Sequence, residues 1–232
     1  MSDPFRVYIG WDRREPEAYD VAESSLRRNA SVPVSIEPIK LDDLVKRGLY
    51  TREVDPLAST EFTYSRFLTP ALAGYKGWVL FCDSDFLWLG DIAGLQEYIR
   101  DNFKAVFCVQ HDYKPKEATK MDGVMQTAYP RKNWSSLMLF NCEHPSVKAL
   151  TPEVVNRESG AYLHRFQWAK DEEIGSLPVE WNWLEGWNEK PKTGTPKAVH
   201  YTRGGPWFKE WQNVDYGDLW REEYARVRAH SA

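Results

Sequence analysis

Short apolar runs alternate along the chain with longer stretches whose apolar positions recur every three or four residues. Phe5–Gly10 reads as a first strand ending on glycine. Over residues 15–29, Pro16 stands near the start and Ala18, Val21, Ala22, Ser25 and Leu26 keep helical spacing, which predicts a helix. Val34–Ile39 has strand character, and Pro38 places it near a sheet edge. Residues 41–47 suit a short helix closed by Gly48, and residues 62–72 a helix that stops at Gly74. Trp78–Cys82 is wholly apolar, as expected of a central strand covered on both faces. Further on, the pattern predicts helices over 92–99, 147–158 and 216–228 and strands over 105–109, 136–140 and 197–202. The polar stretch 111–132, with Pro115, Gly123 and Pro130, reads as a long loop or lid.

Strands alternating with helices imply an α/β sandwich with a largely parallel sheet. Ligands in such sheets bind beyond the carboxyl ends of the strands. A chain of 232 residues fits one domain, 1–232.

Composition narrows the function classes. A net charge of −4 gives no bulk argument for nucleic acid or an anionic membrane, although a local basic patch stays open. No apolar run approaches the roughly 18 residues that span a bilayer. Cys82, Cys108 and Cys142 lie in or beside apolar segments, and an odd count there fits free thiols in a reducing, cytoplasmic setting. Six of the eleven tryptophans (Trp181, Trp183, Trp187, Trp207, Trp211, Trp220) fall in the last quarter. They suit either a small core or a surface on which sugar faces stack.

Four constellations could carry chemistry. Asp83-Ser84-Asp85 leaves the apolar strand with two carboxylates. Burying both unpaired is costly, and a hard divalent cation resolves the conflict; a solvated turn is the alternative. In Val199-His200-Tyr201-Thr202-Arg203-Gly204-Gly205-Pro206-Trp207, His200 could offer a nitrogen to that metal while Arg203 reaches a phosphate across open glycine backbone. A lone histidine is also a common structural residue. Arg66, on an apolar helix face, is an ion-pair member or an anion ligand. Asp171, in the acidic start Lys170-Asp171-Glu172-Glu173, either grips sugar hydroxyls or is a solvated helix beginning.

Together these blocks resemble glycosyltransferase family 8 and its GT-A relatives over roughly residues 5–210. Val7-Tyr8-Ile9-Gly10 resembles the opening strand that carries the nucleotide base. Tyr64-Ser65-Arg66-Phe67-Leu68, followed by the strand into Asp83-Ser84-Asp85, resembles the helix and Asp-x-Asp block. Ser135 to Asn141 resembles the Asn-Ser-Gly-Val-Met-Leu-x-Asn strand. Asp171-Glu172, with Leu177-Pro178 and Trp181-Asn182, resembles the Asp-Gln and Leu-Pro-x-x-Trp-Asn stretches, and His200 to Trp207 the late His-x-x-Gly-x-x-Lys-Pro-Trp motif.

The resemblance implies a single GT-A (Rossmann-like) α/β/α sandwich with a mostly parallel central sheet, in which about 160–232 completes the acceptor side. It implies manganese (or magnesium) on Asp83, Asp85 and His200, and a nucleotide-sugar donor, usually a UDP-sugar, transferred with retention to a glycan or other hydroxyl acceptor. Tyr8, Ile9, Gly10, Arg66, Asp83, Ser84, Asn133, Gly204 and Gly205 would hold the donor, and Asp171 and Arg203 would serve the transfer. Several positions depart from the pattern. Gly205 stands where the family has a diphosphate-binding lysine, for which Arg203 or Lys209 is a substitute. Trp134 and Ser136 replace Asn and Gly, and Glu172 replaces Gln.

Three rival readings share single features. A haloacid-dehalogenase-like phosphatase also uses Asp-x-Asp after a strand, but near the start of its domain. A nucleotidyltransferase needs a phosphate loop that Trp11-Asp12-Arg13-Arg14 imitates only faintly. A non-catalytic carbohydrate-binding protein would use the tryptophans without the Asp/His set.

Overall fold

A computed structural model describes residues 3–53, 58–112 and 131–230. The expected loop 111–132 lies, for residues 113–130, outside the described residues. The strands are β1 Phe5–Gly10, β2 Val34–Ile39, β3 Trp78–Cys82, β4 Phe86–Trp88, β5 Val106–Val109, β6 Leu137–Asn141, β7 Ile174–Leu177, β8 Trp183–Leu184 and β9 Ala198–His200.

Among the described residues, six strands form the main sheet in the order β2-β1-β3-β6-β5-β7. Five run the same way, and β6 is antiparallel to both neighbours. Pro38 sits on β2 at the sheet edge, where its missing N–H breaks no ladder. A second sheet, β4-β9-β8, lies beyond the carboxyl end of β3.

The apolar run of β3 is explained by burial on both faces. Val79 and Phe81 join the cluster beneath Phe67, Val147, Val155 and Phe166, whereas Leu80 and Cys82 join the opposite one. That second layer is roofed by helix α1, Pro16–Asn29, through Tyr19, Ala22 and Leu26, and by Ile92 and Leu95. A third cluster, with Val21, Leu87, Trp183, Val199, Tyr201 and Trp220, joins α1, the small sheet and the C-terminal helix Gly217–His230.

Several expected elements take a different form. Residues 62–72 split into a 3-10 turn, Ser65–Leu68, and a short helix, Thr69–Leu72, that restarts with Pro70 in its first turn. The helix expected over 147–158 is two, Pro145–Lys148 and Pro152–Arg157. Pro152 ends continuity with the first, and Thr151 caps the second by accepting from the Val154 amide at 3.3 Å. Ile92–Arg100 is 3-10 rather than α. The late strand is confined to β9 and belongs to the small sheet. Strands β4, β7 and β8 are too short to show a period of their own.

All three cysteines are buried free thiols. Trp181, Trp183 and Trp220 are core residues, whereas Trp187 is exposed and Trp207 and Trp211 are half-buried. No described helix is long and apolar enough to cross a membrane.

Candidate active site

Asp83 and Asp85 follow β3 where the sheet presents the carboxyl ends of β1 and β3. The chain then turns directly into β4, which pairs with β9 in a register that sets Phe86 opposite His200. The Tyr201 amide donates to the Asp85 carbonyl at 3.0 Å, and the Phe86 ring stacks on the imidazole with 4.4 Å between centroids. A pairing of three residues per strand thus brings His200 to Asp85 across more than a hundred positions of sequence.

Ligand atoms of Asp83, Asp85 and His200 lie within 4.8 Å of one another. Oδ1 of Asp83 and Oδ1 of Asp85 are buried, and neither accepts a hydrogen bond. Asp83 Oδ1 forms an ion pair with Arg66 Nη1 at 2.8 Å, and Asp85 Oδ1 lies 3.2 Å from His200 Nε2. Burial lifts the Asp83 carboxyl to about 7 against the pull of Arg66. Burial acts on Asp85 in the same sense, but His200, the residue's own amide and Arg66 together outweigh it and hold this carboxyl below its usual range. Two orphaned carboxylate oxygens and an imidazole nitrogen, converging out of bulk water, fit a divalent cation.

Cavities open on both sides of this cluster and share Ser59, Asp83 and Asn133. One, of about 300 Å³, is lined by Asp12, Glu15, Ser84, His200, Arg203 and Trp207 among others. The second, of about 400 Å³, is lined by Thr63, Tyr64, Arg66, Arg131, Ser135 and His164 among others.

The structure brings most of the expected residues together and sets some apart. Asp83, Ser84, Asp85, Asn133, Arg66, His200, Arg203 and Gly204 all line the cleft. Arg66 is buried, donates from Nη1 to the Ser135 carbonyl at 2.9 Å, and is the ion-pair partner of Asp83. Arg203 is held by Glu185 at 2.9 Å above the Trp211 ring. Tyr8 and Ile9 have their side chains in the core, and Gly10 is overlaid by the Phe62 ring. Gly205 is likewise covered by the Trp207 indole, and a Cβ on Gly204 would reach within 2.5 Å of Trp211. These glycines make room for aromatic rings. Asp171 is exposed and pairs with Arg131, which lines the larger cavity. Lys209 is exposed and outside the cleft lining.

Four residues of the site were not among the expected site residues. Asp12 is buried and accepts from Arg14 and from the Glu61 amide, tying the loop after β1 to the segment before Phe62. Glu15, whose carboxyl is raised by burial and then by Asp85 and Asp12, accepts from Trp207 Nε1 at 3.1 Å. His164 shares a 2.7 Å hydrogen bond with Ser135 Oγ in the larger cavity. Asn182 holds His200. The signal for the first two was positional, since they follow directly on the first strand end.

No protein-family model matches the chain. It is 58% identical over 223 residues to Protein CDI of Arabidopsis thaliana, a match covering 95% of this chain and 86% of that protein. The chain belongs to the family of Protein CDI. Among solved structures it is similar to the WbbM bifunctional glycosyltransferase, with a TM-score of 0.61 and 19% identity over 97% of this chain and 50% of that one. It is also similar to the glycosyltransferase GlyE of Streptococcus pneumoniae TIGR4, at TM-score 0.61 and 16% identity over 97% of this chain and 62% of that one. The galactosyltransferase LgtC, solved with donor and acceptor sugar analogues, matches at TM-score 0.56 and 11% identity over 96% of each chain. This member of the Protein CDI family thus spans about half the WbbM chain and under two thirds of GlyE. Its fold is GT-A, the α/β sandwich with a mostly parallel sheet.

Proposed function

We propose that the protein is a metal-dependent glycosyltransferase, of the family 8 kind, that moves a hexosyl group from a nucleotide-sugar to an acceptor hydroxyl. One observation carries the reading: the unbonded Oδ1 atoms of Asp83 and Asp85 converge with His200 Nε2 at the strand ends of a GT-A sheet. Manganese suits two carboxylates and an imidazole, with magnesium as the harder substitute. When bound, such a cation offsets the negative charge that builds on a departing diphosphate.

The chain's own groups divide the remaining work. Arg203, steadied by Glu185, presents its guanidinium to phosphate oxygens beside Gly204. Arg66 keeps Asp83 oriented and borders the cavity assigned to the transferred sugar. Asp171 orients Arg131 toward the same cavity and positions the sugar. We assign UDP as the nucleotide and retention as the outcome. The anomeric C–O bond to the diphosphate breaks, the acceptor oxygen bonds on the same face, and its proton passes to the departing phosphate oxygen.

Release of UDP from a panel of UDP-hexoses, with Mn²⁺ and with EDTA, tests the reading. Mn²⁺-dependent release is expected, falling by about two orders of magnitude or more in D85A and H200A. A folded D85A protein that keeps metal-dependent turnover would sink the assignment.

A further inference from the structure

His200 presents Nε2 to the acidic pair only if its proton sits on Nδ1, and a chain of hydrogen bonds decides that. The chain begins at the Asn133 carbonyl. Asn133 is left-handed, with φ of 63°, and its carbonyl accepts from Ser136 Oγ at 2.7 Å. Having given its proton there, the Ser136 hydroxyl can only accept from Asn182, 2.9 Å away. The side-chain nitrogen of Asn182 therefore faces Ser136, and a 3.4 Å contact to the same Asn133 carbonyl agrees. The amide oxygen must then face the imidazole, where His200 Nδ1 lies at 2.8 Å. An amide oxygen only accepts, so Nδ1 carries a proton and donates, and in the neutral ring that a metal requires the lone pair is then on Nε2, toward Asp85.

Three members of this chain are buried, and only Asn133, where it starts, is half-buried. Asn182 is 0% exposed, His200 2% and Ser136 3%. Water has no ready access to the Asn182 amide, so its orientation is held by the groups it bonds. We propose that Asn182 is a positioning residue for the metal site: relayed from Asn133 through Ser136, it sets the His200 tautomer that makes Nε2 a ligand. The inference rests on the metal reading above and adds a role that the Asp/His set does not contain. Asn133 and Ser136 also line the cavity assigned to the sugar, so the relay joins that cavity to the metal ligand.

Mn²⁺ binding to the purified protein, followed by electron paramagnetic resonance of the free ion, tests this without any turnover. N182A is expected to bind Mn²⁺ about 10–100-fold more weakly than the unaltered protein, the usual scale for a group that orients a metal-bound histidine. N182D, whose carboxylate still accepts from Nδ1–H, is expected to restore affinity to within about threefold, a rescue that generic loss of packing would not give. S136A removes the oxygen that forces the amide's orientation, and a smaller loss in the same direction is expected; it carries the test if N182A does not fold. N182A or S136A with an unchanged melting temperature in EDTA and unchanged Mn²⁺ affinity would overturn the relay. An unaltered protein that binds neither Mn²⁺ nor Mg²⁺ would overturn the metal reading itself.

Discussion

His164 shows how one buried side chain leaves a mark on the whole protein's pH response. Burial, helped by Arg66, pushes its ring down to about 3, whereas an unfolded chain protonates histidine near 6.5. The folded form therefore holds this ring neutral, and its contribution is full above pH 6.5 and lost as pH falls toward 3. H164N should melt lower than the unaltered protein at pH 7.5, with the gap narrowing at pH 5; a gap of constant size would contradict the assignment. Asp83 works in the opposite sense. Its raised carboxyl favours the metal-free fold below the ordinary carboxylate range and disfavours it as pH rises through about 7. At the same scale, the Asp pair was legible in the sequence because an apolar strand ended in two charges. His164 and Asn182 were not, because each matters through a partner distant in sequence, Ser135 in one case and His200 in the other.

Between elements, the Trp207 indole ties the loop after β9 to the start of α1 through Glu15. W207F keeps most of the ring's packing against Tyr201 and Trp220 but removes the donor. A loss of about 1 kcal/mol is expected, or roughly 2–4 °C in melting temperature for a domain of this size. G205A is expected to cost more, about 1–3 kcal/mol, because its methyl would run into the same indole. In urea melts the double variant G205A/W207A should cost less than the sum of its parts, since both act on one contact. Full additivity would contradict the covered-glycine account.

Legibility followed length at this scale. Phe5–Gly10 and Pro16–Asn29 are long enough to show a pattern, Trp78–Cys82 is marked by its unbroken apolar run, and all three form as expected. Strands β4 and β8 are held by neighbours in the small sheet, and β7 is interrupted by Gly175 and Ser176, so no local pattern marks them. Proline decided where the helices at 65–72 and 145–157 broke, and the apolar period ran straight across those breaks.

In the whole molecule, a GT-A sheet delivers the Asp pair at a central strand end, and the small sheet returns His200 to it. The cleft they share separates a side rich in carboxylates, with Asp12, Glu15 and Asp85, from one bordered by Arg66 and Arg131. On the proposed reading, nucleotide and sugar lie on opposite sides of the cation. Residues 160–232 were expected to complete the acceptor side; in the structure they supply His200, Arg203 and Trp207 to the cleft. Overall order was readable because several blocks keep their sequence spacing. The cleft lining was not, since it is assembled from strand ends, two turns and a histidine that meet only in the fold.

The most direct test of the central claim is the melting temperature with UDP, with Mn²⁺, and with both together. Saturation at about 100 times the dissociation constant adds about 2.7 kcal/mol, which corresponds to a rise of roughly 5–10 °C. The account predicts that rise only with UDP and Mn²⁺ together, and its loss in D85A. No shift with UDP or GDP in the presence of Mn²⁺ would contradict it.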